Sequence, residues 1–374
     1  MTRKNWTEVS ERLGLMFSER AAAIDAQDRF VAENYAELKK DAVFSMLVPE
    51  DLGGGGATLA EVCELLRVLG RYCASTALSL SMHQHLVAAA VFRHKKGQPA
   101  AKLLQKVATS QAVLVSTGAT DWIDSNGSAK ASEGGYRVSG RKTFASGSPA
   151  ADLLITSFAA DADPEGPSVI HCPVPLAAEG VTRLDDWHTL GMRGTGSHTV
   201  VLKDVFVPNE AVSLKRPRKQ WHPAWDVTLG VAPPIYMAPY VGLAQAAAEQ
   251  ALVHARERSR SITAQLAAGQ LENAWTTAEL VWQDMVRLAG DCDFAPSLAN
   301  TNAQLVRKTI LTQALEQTVE RAFELVGGAA FYGSLPFERM WRDVQAAHYH
   351  PLPEKRQHLF TGRYRLGLDG HWDV

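Results

Sequence analysis

Two imidazoles stand close together in His348-Tyr349-His350-Pro351, shortly after the charged segment Glu338-Arg339-Met340-Trp341-Arg342-Asp343. Imidazole is the side chain that exchanges a proton near neutral pH, so this stretch suits a site where a proton is held or delivered. His83 and His85 form a second pair. On a helix, side chains two residues apart diverge by about 200°, so at most one of these two faces a given site. Ser146, in Ser146-Gly147-Ser148-Pro149, offers a hydroxyl that both donates and accepts, in a tetrapeptide that also reads as a turn. The run Arg256-Glu257-Arg258-Ser259-Arg260 carries planar guanidinium forks that suit phosphate, and equally reads as a hydrated helix end. Glu338 and Glu354 are the carboxylates near the histidine pair that could serve as a base. Trp122, Trp187 and Trp225 are candidates to cover an apolar ligand, or simply to close the core. The four cysteines, Cys63, Cys73, Cys172 and Cys292, are scattered without a CxxC pair, and no His-rich spacing accompanies them, so neither a metal centre nor a disulfide is expected.

These groups must be positioned by a chain of 374 residues, 46% hydrophobic and 21% charged, which is enough for a sizeable core in two or three packed layers. A net charge of −2 supplies no broad cationic field for a nucleic-acid backbone, and Lys215-Arg216-Pro217-Arg218-Lys219 reads as a short solvated loop. Met1 to Trp6 lack a following apolar segment, and no apolar run of membrane-spanning length stands out, so a cytoplasmic protein with no membrane or nucleic-acid partner is expected.

Periodicity divides the chain in three. Residues 1–112 read as helices, with Leu59, Val62, Cys63, Leu66 and Leu69 at helical intervals and a Val48-Pro49 to Gly56 loop as the break. Residues 113–220 change to short β-branched segments such as Tyr136 to Lys142, Leu153 to Phe158 and Thr199 to Pro208, spaced as in an antiparallel sandwich or barrel. A Trp- and Pro-rich linker from about Gln220 to Pro234 then leads into a helical bundle that completes residues 221–374. In it, Leu311, Leu315, Val319, Phe323 and Val326 form one stripe that Gly327-Gly328 terminates. The expected class is α+β, mostly α.

This order resembles the acyl-CoA dehydrogenase family, and local motifs fall in register with it. Leu47 to Gly56 is similar to its Val-Pro-Glu-x-x-Gly-Gly loop, Gly191 to Thr195 and on to Pro208 to its Gly-x-Arg-x-Ser strand pair, and Glu324 to Gly328 to its Gln-x-x-Gly-Gly. The Glu338 to Asp343 segment is similar to its Glu-Arg-x-x-Arg-Asp. The resemblance implies a flavin, FAD or FMN, with Thr117 at the pyrimidine edge, Phe144 over the ring, Ser146 near N5, and Arg258, Gly327 and Gly328 on the phosphate side. It also implies a homotetramer built as a dimer of dimers. Ser261-Ile262 and Glu324 depart from the family pattern on the phosphate side, which leaves room for FMN.

The family's catalytic Glu falls at Pro351, and its alternative location falls at Ala232. At this point the chain resembles instead the branch of two-component flavin monooxygenases, including dibenzothiophene and hydroxyphenylacetate-type oxygenases, which take reduced flavin from a separate reductase and use oxygen. That resemblance assigns proton or peroxide handling to His350 and Ser146, with His348 and His85 as further candidates, and a small apolar or aromatic molecule as substrate. Two other readings stay open: an FAD-dependent acyl-CoA or carrier-bound acyl dehydrogenase with a displaced base, and a non-catalytic relative that keeps the fold.

Overall fold

Side-chain caps begin several of the helices. The computed structural model describes residues 4–117, 124–163 and 166–368. The Asn5 side chain accepts the Thr7 and Glu8 amides to start α1 (Trp6–Ala26), and α2 (Ala32–Lys40) follows. Thr58 and Glu61 form a reciprocal capping box on α3 (Leu59–Tyr72), whose predicted stripe of Leu59, Val62, Cys63, Leu66 and Leu69 is buried. After α4 (Ala74–Lys95) and α5 (Ala101–Ser110) the chain enters the sheet. The glycine loop before α3 is tied down by its own backbone, with Gly55 and Ala57 amides donating to Ser45 and Met46 carbonyls at 3.0 and 2.8 Å. It is a compact turn, not a ligand cradle.

The strands are β1 (Leu114–Ser116), β2 (Ser128–Ser132), β3 (Gly135–Lys142), β4 (Leu153–Ala160), β5 (Ser168–Pro175), β6 (Val181–Arg183), β7 (Val200–Pro208) and β8 (Leu214–Pro217). They form one sheet in the order β6-β7-β3-β2-β4-β5-β8, with β1 beside β4. The sheet is largely antiparallel, as expected, with two parallel pairings besides: β1 and β2 both run parallel to β4. Each lies far enough from β4 in sequence to allow the crossover that a parallel pair needs.

The helical remainder is α6 (Ala224–Ala255), α7 (Ile262–Leu288), α8 (Leu298–Val326), α9 (Phe337–Val344) and α10 (Glu354–Arg365). The expected Trp- and Pro-rich linker is instead largely the first turns of α6, which contains Pro233, Pro234 and Pro239. Proline removes the amide that would bond four residues back. Here the Gly230 carbonyl, orphaned by Pro234, accepts the Gln304 side-chain amide at 3.3 Å, so the helix survives on tertiary bonds. Close helix crossings hold it in place: a Cβ at Gly242 would lie 1.9 Å from the Arg67 carbonyl, and one at Gly70 would lie 2.3 Å from that of Pro239. The segment Ala224–Arg258 is long and apolar enough to cross a membrane, contrary to the sequence reading, but 89% of its most apolar window is buried inside the protein.

Candidate functional site

A cleft of about 2090 Å³ opens between α4, the sheet, α6 and the segment that carries Tyr349, His350 and Pro351. Small-molecule pockets usually run to about 300–1,000 Å³, so this one has room for more than one ligand. Five predicted residues, His85, Thr117, Phe144, Ser146 and His350, line it together. The helix α6 contributes positions 224, 228, 232, 236 and 240, one face at four-residue spacing.

Beyond β3 the chain turns through Phe144, which adopts a left-handed φ of +58°. That conformation is uncommon for a bulky residue and leaves the ring 55% exposed, edge-on to Trp187 at 5.9 Å. Two residues on, the Ser146 hydroxyl lies 2.8 Å from that of Ser197, which lies 2.7 Å from that of Thr195. Thr117 pairs with Thr156, hydroxyl to hydroxyl, at 2.9 Å. An exposed aromatic face flanked by hydroxyls suits a planar heteroaromatic ligand with polar edge atoms.

His350 is built into the opposite wall. Its Nε2 lies 2.7 Å from the Tyr240 hydroxyl, and the Tyr236 ring stacks on it at 4.9 Å and 21°. The Tyr236 hydroxyl donates to the Pro351 carbonyl at 2.9 Å, fixing the loop. The Tyr240 phenol, pushed up by burial, stays protonated, and its proton is satisfied only by donating to Nε2. Hydrogen-bond accounting therefore assigns the ring proton of His350 to Nδ1. Burial, with the nearby charge of Lys308 and His85 as neighbours, holds the imidazole down to about 3, so it is neutral at physiological pH.

Of the other histidine pair, His83 is a structural link: the Leu114 amide donates to its Nδ1 at 3.0 Å and its Nε2 reaches the Phe44 carbonyl at 2.7 Å. His85 turns to the cleft. Its Nδ1 lies 3.3 Å from the Ser81 carbonyl, which can only accept, so Nε2 keeps a free lone pair. Burial holds it down to about 4.

Several predicted residues lie elsewhere. His348 does not line the cleft and pairs with Glu316 at 3.1 Å. Arg258 donates to the Leu325 and Val326 carbonyls, closing the C-terminus of α8 where helix carbonyls lack partners. Gly327 sits beside that guanidinium, and none of Arg258, Gly327 and Gly328 lines the cleft. Glu338 pairs with Arg342, while Glu354 accepts from Gln313 and pairs with Lys355. Among the described residues lining the cleft, the only carboxylate is the exposed Glu210. Trp187 and Trp225 line it as well, and Trp122 lies outside the described residues.

Sequence reasoning missed Tyr236, Tyr240, Thr195 and Ser197. The tyrosine pair was signalled by two phenols four residues apart in an apolar stretch, where each needs a buried partner. Thr195-Gly196-Ser197 carried hydroxyls around a glycine of φ +55°, a local signal without a visible target.

Comparison with known proteins agrees with this architecture. Residues 9–111, 117–205 and 235–353 match, in order, the family descriptions Acyl-CoA dehydrogenase, N-terminal domain, middle domain and C-terminal domain. The amino sugar nitrososynthase DnmZ of Streptomyces peucetius is 29% identical over 343 residues, spanning 85% of this chain and 82% of that one. A dibenzothiophene monooxygenase of Mycolicibacterium goodii is 25% identical over 412 residues, spanning 98% and 93%. The structure of KijD3 in complex with FMN and dTDP-3-amino-2,3,6-trideoxy-4-keto-3-methyl-D-glucose shares the fold with a TM-score of 0.88 at 24% identity, covering 98% of this chain and 95% of that one. With all three of its domains matched in sequence order, this chain belongs to the acyl-CoA dehydrogenase family.

Proposed function

We propose that the protein is a flavin-dependent monooxygenase that takes up reduced flavin and oxygenates a small apolar or aromatic molecule bearing nitrogen or sulfur. The observation that carries this reading is the pairing of a neutral, tyrosine-held His350 with the lack of a buried carboxylate among the described residues of the cleft. A dehydrogenase of this family needs a base for the α-proton, and neither Glu338 nor Glu354 reaches the cleft. Relatives named as a dibenzothiophene monooxygenase and an amino sugar nitrososynthase support oxygen chemistry at sulfur or nitrogen.

Phe144, Thr117 and Ser146 would hold the flavin, whose ring supplies the electrons that activate oxygen. His350 and His85, neutral imidazoles lining the same cleft, would hold or move a proton beside it, and Trp187 would cover its edge. FMN suits the site better than FAD, because its single phosphate needs less on a side where Ser261-Ile262 and Glu324 depart from the family pattern. In the proposed homotetramer, Arg258, Gly327 and Gly328 would face a neighbour's cofactor. A separate reductase would supply the reduced flavin.

The test is anaerobic titration with reduced FMN and reduced FAD, followed by rapid mixing with oxygen while the flavin spectrum is followed. A transient species distinct from oxidised flavin, weakened in His350→Ala, is expected. Tightly held oxidised FAD that acyl thioesters bleach would overturn the proposal.

A further inference from the structure

The hydroxyl chain behind Ser146 has a direction. Its far end is the Met192 carbonyl, which receives the Thr195 hydroxyl at 2.9 Å, the Thr195 amide at 3.1 Å and the Trp187 indole at 3.1 Å. A carbonyl can only accept, so the Thr195 hydroxyl spends its single proton there. Thr195 must then accept from Ser197, and Ser197 from Ser146. Ser146 is left with its proton committed and its lone pairs toward the cleft.

We infer that Ser197 and Thr195 are positioning residues that fix Ser146 as an acceptor, so that the cleft selects the ligand state carrying a hydrogen at that edge. The inference rests on the flavin reading. With the ring over Phe144, the edge atom at Ser146 is N5, which bears a hydrogen only in the reduced flavin and a lone pair in the oxidised one. Binding the oxidised ring sets lone pair against lone pair, or requires Ser146 to leave its chain. A serine that by its type alone both donates and accepts is, in this chain of hydroxyls, an acceptor toward the cleft. The preference belongs to the polarity of the chain rather than to Ser146 itself.

Dissociation constants for oxidised FMN and, anaerobically, for reduced FMN test this in the wild type, Ser197→Ala, Thr195→Val and Thr195→Ser. The wild type is expected to favour reduced FMN. Removing Ser197, or removing the acceptor of its proton with Thr195→Val, frees the Ser146 proton to reach oxidised N5. The ratio of the two constants then falls about five- to tenfold, the worth of one hydrogen bond. That change corresponds to a drop of about 20 to 30 mV in the potential of the bound flavin. Thr195→Ser keeps the chain and should keep the ratio. A variant that merely loosens the turn weakens both constants together. An unchanged ratio in folded Ser197→Ala and Thr195→Val therefore overturns the inference while leaving flavin binding intact, and failure of the wild type to bind either form overturns both.

Discussion

The Tyr240 hydroxyl sits 2.7 Å from His350 Nε2 while Tyr236, one turn earlier on α6, stacks on the same ring at 4.9 Å. Helix and loop are more than a hundred residues apart in sequence, and this contact sets both the tautomer and the orientation of the imidazole. Tyr240→Phe strands Nε2 in a buried setting, and a loss of about 1 kcal/mol in unfolding free energy is expected from denaturant titration.

His350→Ala should leave the affinity for reduced FMN within about threefold, because the ring-binding residues lie on the other wall. Product formed per reduced flavin consumed should fall by about a hundredfold or more, the usual worth of a placed proton donor. Unchanged coupling of reduction to product would remove His350 from the chemistry.

Stability should depend on pH through the buried imidazoles. An unfolded histidine titrates near 6.5, whereas burial holds His350 down to about 3 and His85 to about 4. Between those values the unfolded chain binds protons that the folded one refuses, so this stability is complete above about pH 6.5 and is lost as pH falls toward 3. Denaturation midpoints should drop from pH 7 to 4, with a shallower slope in His350→Phe. His83 and His171, also held low by burial, account for part of the remaining slope.

Glu354→Gln should leave turnover within about twofold, since this carboxylate accepts from Gln313 away from the cleft. A loss of about a hundredfold would instead restore a dehydrogenase base.

Lys308 is 1% exposed, and its amine reaches the Leu352 carbonyl at 3.5 Å; burial pulls it down to about 8. A cation so poorly compensated stabilises little, so Lys308→Met should be neutral or stabilising by up to about 2 kcal/mol. Loss of that positive charge should also raise the pKa of His350, which NMR titration of the imidazole would register.

The α3 and α8 stripes were legible because amphipathic periodicity survives in sequence wherever one face meets the core. The helix α6 was not: three prolines argue locally for a linker, and only Gln304, from a distant helix, answers the carbonyl that Pro234 orphans. At the site, Thr117, Phe144, Ser146, His85 and His350 were readable as chemistry-bearing types in family register, and the cleft gathers them. His350 was put ahead of His348 by family register alone; what separates them physically is the presence of Tyr240 beside one and Glu316 beside the other. The direction of the Ser146 hydrogen bond was equally hidden, since it is decided at Met192 through two intervening side chains.

The α6 face that lines the cleft is also graded in side-chain size. Its positions from Ala224 to Tyr240 span about 24 Å at 1.5 Å per residue, and the side chains run Ala, Thr, Ala, Tyr, Tyr toward His350. Trp225 stands beside the small end of this row, and the two phenols stand beside the imidazole. A bulky residue at Ala232, midway along this row, would crowd the cleft between Thr228 and Tyr236 while leaving the contacts of His350 in place.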